Sequence, residues 1–351
     1  MQKLISLLLF PISFLYGIGV SIYQALYFSG LIKPVKFSFP VISIGNLTIG
    51  GTGKSPHIEY LIRLLKDYIE LAVLSRGYKR NTSGFLLVDS ESNAKQVGDE
   101  PKQIKDKFPN VPVAVSESRS LGIPRLIRNF PDLKLILLDD AFQHLAVKPG
   151  LNILLTEYAN PYSKDFLLPS GRLREWRYGA SRADVIIVSK CPENLTENHF
   201  ESWRNNLSLR KHQRLFFSKI EYGVPFQIFN PQKLFLLNPG LHITLISAIA
   251  QSSYLLNYLA GNVASVVDIN FEDHHYFRES ELKSILLKHE QISHPNKMIL
   301  TTEKDGTRLA LFKDFFSLRN IEVYAIPIHV KFYHELEFNN FIKDYLLEFK
   351  I

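Results

Sequence analysis

The chain has 351 residues, 46% of them hydrophobic and 21% charged, with a single cysteine and a formal net charge of +7. Such a composition excludes a disordered or fibrous chain, and the lone Cys191 excludes both an internal disulfide framework and a Cys-rich zinc site. The length suits two domains, and the basic excess favours anionic partners without choosing among nucleic acid, phosphorylated small molecules and acidic lipid.

Residues 4–32 contain no Asp, Glu, Lys or Arg and are bracketed by Lys3 and by Lys33 and Lys36. As a helix this segment would run about 40 Å, enough for a hydrocarbon core of about 30 Å. Pro11 is a possible break in it, while Ser13, Gly17, Ser21 and Ala25 form an i, i+4 stripe of small residues suited to close packing against protein. Tyr16, Tyr23, Gln24 and Tyr27 add polar tips of the kind found at a membrane interface. A basic residue ahead of an apolar run also fits a signal peptide, but no small-x-small cleavage site follows cleanly. A membrane-embedded or interface-lying anchor is therefore preferred to a cleaved leader or a buried core helix.

Beyond Pro34, apolar runs alternate with amphipathic stretches, the pattern of a doubly wound parallel α/β sheet. Strands are expected at 41–44, 71–74, 85–88, 113–115, 135–138, 153–155 and 185–188, with another at 215–220 leading into the Gly223 and Pro225 break. A second, smaller α/β unit follows, with apolar runs at 243–249, 263–269, 298–300 and 323–326 and helical patterns at 279–288 and 338–349. The expected division is an apolar helix over 1–32, a P-loop domain over 33–222 and a C-terminal α/β domain over 223–351.

The strand VISI, the loop GNLTIGGTGKSP and the helical pattern HIEYLIRLLK give strand, glycine-rich loop and helix in the order a phosphate site requires. Gly50, Gly51 and Gly53 let the backbone wrap phosphate oxygens, so the expected nucleotide contacts are Thr48, Ile49, Gly50, Gly51, Thr52, Gly53, Lys54 and Ser55. Lys54 suits the β- and γ-phosphates, and the Ser55 hydroxyl suits Mg²⁺. The general P-loop pattern has glycine where Thr48 stands, so the match is one residue short. KLILLDD supplies the other half of such a site. One of Asp139 and Asp140 can hold Mg²⁺ or its water shell while the other faces a different part of the cleft.

GNLTIGGTGKSP, LSRGYKR, GDEP, DDAFQH, LLPSGRLRE, FEDHHYF and TTEKD occur in that order. Together they resemble the tetraacyldisaccharide 4'-kinase family, membrane-associated enzymes of the Gram-negative lipid A pathway, from about residue 1 to about residue 310. The resemblance implies two α/β/α domains facing each other across a cleft, with ATP on the larger one, and an N-terminal hydrophobic helix. It implies transfer of the ATP γ-phosphate, with Mg²⁺, to the 4'-hydroxyl of an acylated glucosamine disaccharide 1-phosphate, giving lipid IVA at the cytoplasmic face of the inner membrane. A lipid surface is thus an expected partner. Nucleic acid is not, because the basic excess is dispersed and no binding motif accompanies it, and no obligate protein partner is evident. Three positions depart from the family: Ala141 replaces the usual Gly, Arg172 stands where many members have Pro, and Trp176 stands where Pro is frequent. The family's own loop shares the Thr48 variant.

A sugar hydroxyl is a poor nucleophile at neutral pH, and a carboxylate within hydrogen-bond reach is the usual acceptor of its proton. Asp99 of GDEP is the candidate, and the resemblance pairs it with His274 as a dyad that domain closure would complete. Lys54 is the third expected catalytic group. Taken alone, Asp99 also reads as a helix cap before Pro101, and Asp273, His274 and His275 lack an evident third metal ligand. Arg76, Arg119, Arg174 and His144 are expected near the transferring phosphoryl group. Tyr78, Glu100, Gln143 and Glu175 are expected to position substrate or support the site. Within TTEKD, Lys304 is a candidate for meeting an anion and Asp305 for capping a helix. Phosphoryl transfer to another metabolite or to water, and a nucleotide-gated membrane protein, are alternatives that would use the same nucleotide residues.

Overall fold

In the computed structural model, which describes residues 2–349, the apolar runs after Pro34 assemble into a nine-stranded sheet. Its order is Ile328–Phe332, Arg214–Tyr222, Val185–Ser189, Leu151–Glu157, Val41–Asn46, Leu135–Asp139, Leu71–Ser75, Val113–Val115 and Leu86–Val88. The two outermost strands pair antiparallel and the seven between them run parallel. Val41–Asn46, Leu135–Asp139 and Leu151–Glu157 are buried at every residue. That is why they read as continuous apolar runs rather than alternating ones. The chain winds first to one side of Val41–Asn46 and then to the other, so a crevice opens at the carboxyl ends of the central strands.

The second sheet has six strands, in the order Asn230–Leu234, Phe226–Gln227, Val323–Ile326, Lys297–Thr302, His242–Ser247 and Ser265–Asn270. Its core is separate, built on Ile246, Leu282, Ile285 and Phe316 on one face and Ile243, Leu255 and Leu300 on the other. The boundary expected from the sequence differs at the C-terminus. After Val323–Ile326 the chain returns to the large sheet, where Ile328–Phe332 pairs antiparallel with Arg214–Tyr222. Helix Glu335–Leu347 then buries Phe338, Ile342 and Leu346 in the large core, with the Phe338 ring stacked 4.0 Å from Phe332. The physical reason is the edge: without this strand Arg214–Tyr222 would present an unpaired ladder, and Phe216 would lose its aromatic partner Phe338.

The N-terminal helix runs Gln2–Phe28, straight through Pro11. Its buried stripe is Ser13, Gly17 and Gln24, not Ala25, which is exposed. A strict i, i+4 series drifts round the helix by about 40° per step, so by the fourth member the contact has passed to Gln24. The stripe docks on the loop 165–178. Trp176 Nε1 donates to Gly17 O at 3.1 Å and to Ser21 Oγ at 3.0 Å, and Ser13 Oγ donates to Leu167 O at 3.1 Å. A Cβ on Gly17 would lie 2.3 Å from Trp176 Cζ2, so only glycine permits this approach. The other faces expose Leu8, Phe10, Phe14, Leu15, Ile18 and Ile22. By length and composition, Leu8–Phe28 is long and apolar enough to cross a membrane.

Candidate active site

Strand Val41–Asn46 delivers the loop 47–53 to the carboxyl edge of the large sheet, and helix Lys54–Leu65 begins immediately after it. Gly50 (φ 103°) and Gly53 (φ 89°) hold left-handed backbone conformations that favour glycine. No side chain caps the helix, which leaves its first-turn N–H groups available to an anion. The loop is braced from outside. Thr48 bridges Leu173, Ile49 N donates to Arg172 O at 2.8 Å, and Ser189 Oγ donates to Thr52 O at 2.8 Å. Behind it His57 places Nδ1 2.7 Å from Gly53 O and Nε2 2.9 Å from Ser218 Oγ, and burial pushes its pKa down to about 4. Gly51 is exposed and Ser55 half-buried at the helix start, with Ala250 of the second domain 4.0 Å from where a Gly51 Cβ would lie.

Lys54 Nζ lies 3.2 Å from Asn46 Oδ1 and 3.7 Å from Asp140 Oδ2. Asp140 also accepts from Arg174 at 2.9 and 3.2 Å. Burial would raise the Asp140 carboxyl, but Lys54 and Arg174 outweigh it and hold the group well below the usual carboxylate range. Its neighbour behaves oppositely. Burial, with the charges of Asp140 and Glu100, pushes Asp139 up to about 6. Ser75 Oγ donates to Asp139 Oδ2 at 3.1 Å, and Oδ1 is buried with no hydrogen-bond partner among the described residues.

Helix Asp99–Lys107 opens at Gly98, so Asp99 is its first residue and not its cap. Gly98 (φ 95°) and Gly77 (φ 70°) cross closely, a Cβ on Gly98 lying 3.1 Å from Gly77 Cα. This crossing sets the SRGYKR and GDEP segments side by side. Asp99 Oδ2 accepts from His274 Nδ1 at 3.0 Å, a bond between the two domains. Lys304 Nζ lies 3.2 Å from His274 Nε2, an arrangement that suits a proton on Nδ1, and Arg308 Nη2 lies 3.3 Å from Nδ1. The Tyr78 ring meets His274 edge-on at 5.2 Å, and His274 itself holds a left-handed backbone conformation (φ 65°). Burial opposes ionisation of Asp99, but hydrogen bonds from His274 and Arg308 hold its carboxyl down at about 2. Ligand atoms of Asp99, Glu100 and His274 converge within 4.8 Å, yet Lys304 already supplies a cation there, pairing with Glu100 at 2.9 Å. The cap of helix Glu303–Leu309 is Thr302, whose hydroxyl accepts from Asp305 N at 3.1 Å, rather than Asp305.

Arg119 is 1% exposed and works as a buttress: Nη2 donates to Asp139 O at 3.0 Å and its own N–H donates to His144 Nε2 at 3.2 Å. Burial lowers Arg119 to about 10 and His144 to about 4, and the neighbouring Arg76 charge adds to both effects. Arg76 is exposed at the end of Leu71–Ser75. Gln143 Nε2 donates to Asn46 O and to Glu175 Oε1, both at 2.9 Å. Glu175 is 1% exposed and also accepts from Arg182 at 2.8 Å and from Gln24 of the N-terminal helix. Gln24 is thus a buried link to the site rather than an interfacial tip.

Two residues absent from the sequence reasoning belong here. Asn46 is fully buried and receives Lys54, with Arg174 on both its oxygens. A polar residue ending an otherwise apolar strand was its signal. Arg308 donates to Asp99 through Nε at 3.0 Å, and its signal was weaker, an arginine three residues beyond Asp305 in the same helix.

A glycine-rich loop that opens an uncapped helix, together with an ionised carboxylate bonded to a histidine, suits an ATP-dependent kinase with an alcohol acceptor. Comparison with known proteins narrows the class. A family model described as tetraacyldisaccharide-1-P 4'-kinase matches residues 5–347. The tetraacyldisaccharide 4'-kinase of Bacteroides fragilis is 41% identical over 349 residues, covering 97% of this chain and 93% of that one. The corresponding enzyme of Flavobacterium johnsoniae is 41% identical over 358 residues, covering 99% of both. The crystal structure of LpxK from Aquifex aeolicus, described as an "apo" form in complex with ATP, superposes with a TM-score of 0.72 at 26% identity, covering 97% of this chain and 99% of that one. The chain belongs to the tetraacyldisaccharide-1-P 4'-kinase family. It is an ATP-dependent kinase of lipid A biosynthesis.

Proposed function

We propose that Asp99 takes the proton of the 4'-hydroxyl of a tetraacyldisaccharide 1-phosphate while the γ-phosphate of ATP passes to that oxygen. The observation that carries this reading is the clasp on Asp99, in which His274 and Arg308 of the second domain hold an ionised carboxylate next to Glu100, whose charge is felt at Asp139. The O–H bond breaks toward Asp99 as the oxygen–phosphorus bond forms, and the bond from the γ-phosphorus to its bridging oxygen breaks to leave ADP. In a loose transition state the hydroxyl needs an acceptor close by more than a strong one. Lys54 and the loop N–H groups from Thr48 to Ser55 hold the phosphates, and Arg76 faces the anionic substrates from the rim.

A hard cation suits the aspartate pair, since Asp139 Oδ1 is buried and unpartnered among the described residues and the Ser55 hydroxyl lies at the helix start. Mg²⁺ held by Ser55, Asp139 and Asp140 would neutralise charge on the phosphates. The exposed apolar faces of Leu8–Phe28 support association with a lipid surface, the inner membrane's cytoplasmic face in this reading, where the acylated acceptor resides. The test is mass spectrometry of lipid after incubation with ATP. The parent adds one phosphate to the disaccharide, and Asp99→Ala should lose this activity by roughly 10²-fold or more while binding ATP normally. An Asp99→Ala enzyme with parental turnover removes Asp99 from the chemistry.

A further inference from the structure

The Arg308 side chain is as inaccessible as any cation described, at 1% exposure. A buried guanidinium is tolerated only when its donors are satisfied. Here Nε and Nη2 both reach Asp99 Oδ2, while Nη1 reaches Asp305 Oδ1 at 2.8 Å and Ala248 O at 3.3 Å. Asp305 is fastened in turn, its Oδ2 accepting from Ala248 N at 2.9 Å and from Thr302 Oγ1 at 2.8 Å. The fork is therefore anchored to the carboxyl ends of two second-domain strands, His242–Ser247 and Lys297–Thr302. The hydrogen bonds from His274 Nδ1 and from Arg308 Nε and Nη2 all converge on Oδ2 of Asp99, the Tyr276 hydroxyl also interacts with the carboxylate, and Oδ1 is buried without a hydrogen-bond partner within 3.5 Å among the described residues.

We infer that Arg308 is a positioning residue for phosphoryl transfer, clamping Oδ2 of Asp99 from the second domain so that Oδ1 is the oxygen left to receive the acceptor's hydroxyl proton. The inference rests on Asp99 being the proton acceptor. It adds that the base is assembled from two domains, because a guanidinium fork on one fixes the carboxylate of the other. The charged and titratable groups around Asp99 are Glu100 on its own helix, His274 and Tyr276 on the segment before Glu279–Glu290, and Lys304 and Arg308 on Glu303–Leu309, with Asp305 behind the fork. The cations weaken Asp99 as a base and fix its direction. Misplacement by about 1 Å costs on the order of 10²-fold in rate, so orientation outweighs the lost basicity.

The experiment is steady-state kinetics of the full chain on ATP and lipid acceptor, for Arg308→Gln and Arg308→Lys, as a function of pH. Arg308→Gln should lower kcat roughly 10- to 100-fold with KM for ATP changed less than about twofold. It should also show an acid limb at higher pH than the parent, because Asp99 loses a guanidinium that keeps it ionised. Arg308→Lys keeps the charge without the fork, and should restore the pH profile but only part of kcat. A purely structural role would scale activity with the folded fraction and leave the pH profile in place. Should Arg308→Gln not fold, Arg308→Gln combined with Asp305→Asn removes both members of the buried pair and is read in the same way. A folded variant with parental kcat and parental pH profile, or one whose loss lies only in KM for ATP, overturns the inference. Asp99→Asn is measured alongside: an active Asp99→Asn enzyme defeats the base assignment, whereas an inactive one beside parental Arg308 variants defeats only the clamp.

Discussion

Asp139 and Asp140 are adjacent in sequence and opposite in electrostatics, one raised to about 6 by burial and neighbouring carboxylates and the other held low by Lys54 and Arg174. The raised carboxyl has a consequence for stability. Its proton is bound more tightly in the folded than in the unfolded chain, so ionising it opposes folding. The penalty builds as pH rises from about 4 to about 6, is constant above that, and is on the order of 3 kcal/mol. Asp139→Asn should therefore raise Tm of the nucleotide-free, metal-free protein at pH 7 to 8, with the gain shrinking toward zero as pH falls through 6 to 4. A gain independent of pH would contradict this. The phosphate loop and both aspartates were legible in the sequence because local chemistry demands them in order along the chain. Asn46 and Arg308 were not, since Arg174 and Gln143 reach Asn46, and Arg308 reaches Asp99, across long stretches of sequence.

Strands buried on both faces announced themselves as apolar runs, and the expected segments fall within or nearly within the observed ones, as at 135–138 inside Leu135–Asp139. Ile328–Phe332 did not, because it is a short edge strand in which exposed His329 and Lys331 alternate with buried Val330 and Phe332. The N-terminal helix shows the same division. Its small-residue stripe was visible, but the place where the stripe ends depends on the 3.6-residue turn and on Trp176, which bonds Gly17 O. Gly17→Leu should push the helix off Trp176 and raise KM for a fully acylated acceptor about tenfold, a loss of about 1.4 kcal/mol, leaving KM for ATP unchanged. A parental KM for the fully acylated acceptor in this variant would remove the docked helix from lipid handling.

The two domains are joined by more than Asp99. Lys107, at the far end of the same helix, bonds Glu59 of the phosphate-loop helix at 2.7 Å and Glu303 of the second domain at 2.6 Å, with both carboxylates almost fully buried. Burial raises the Glu303 carboxyl, and Lys107 is the cation that opposes this. Lys107→Met should leave the buried Glu303 without a cation and Glu59 with Arg63 alone, at 3.3 Å, and destabilise the protein by about 3 kcal/mol or more, measured by urea unfolding at pH 8. Adding Glu303→Gln should recover part of that loss. A single variant as stable as the parent would show that the ion pair contributes nothing to holding the domains together.

The chain of contacts from Gln24 through Glu175, Gln143 and Asn46 to Lys54 is unbroken. It ties the apolar helix to the lysine of the phosphate loop at a fixed stand-off. If the helix rests in the lipid, the reaction plane keeps a constant height above the bilayer, like a tool on a rigid arm. The sugar headgroup must then rise to that height, so the working reach of the enzyme is set by the protein's own dimensions rather than by the slack of its substrate.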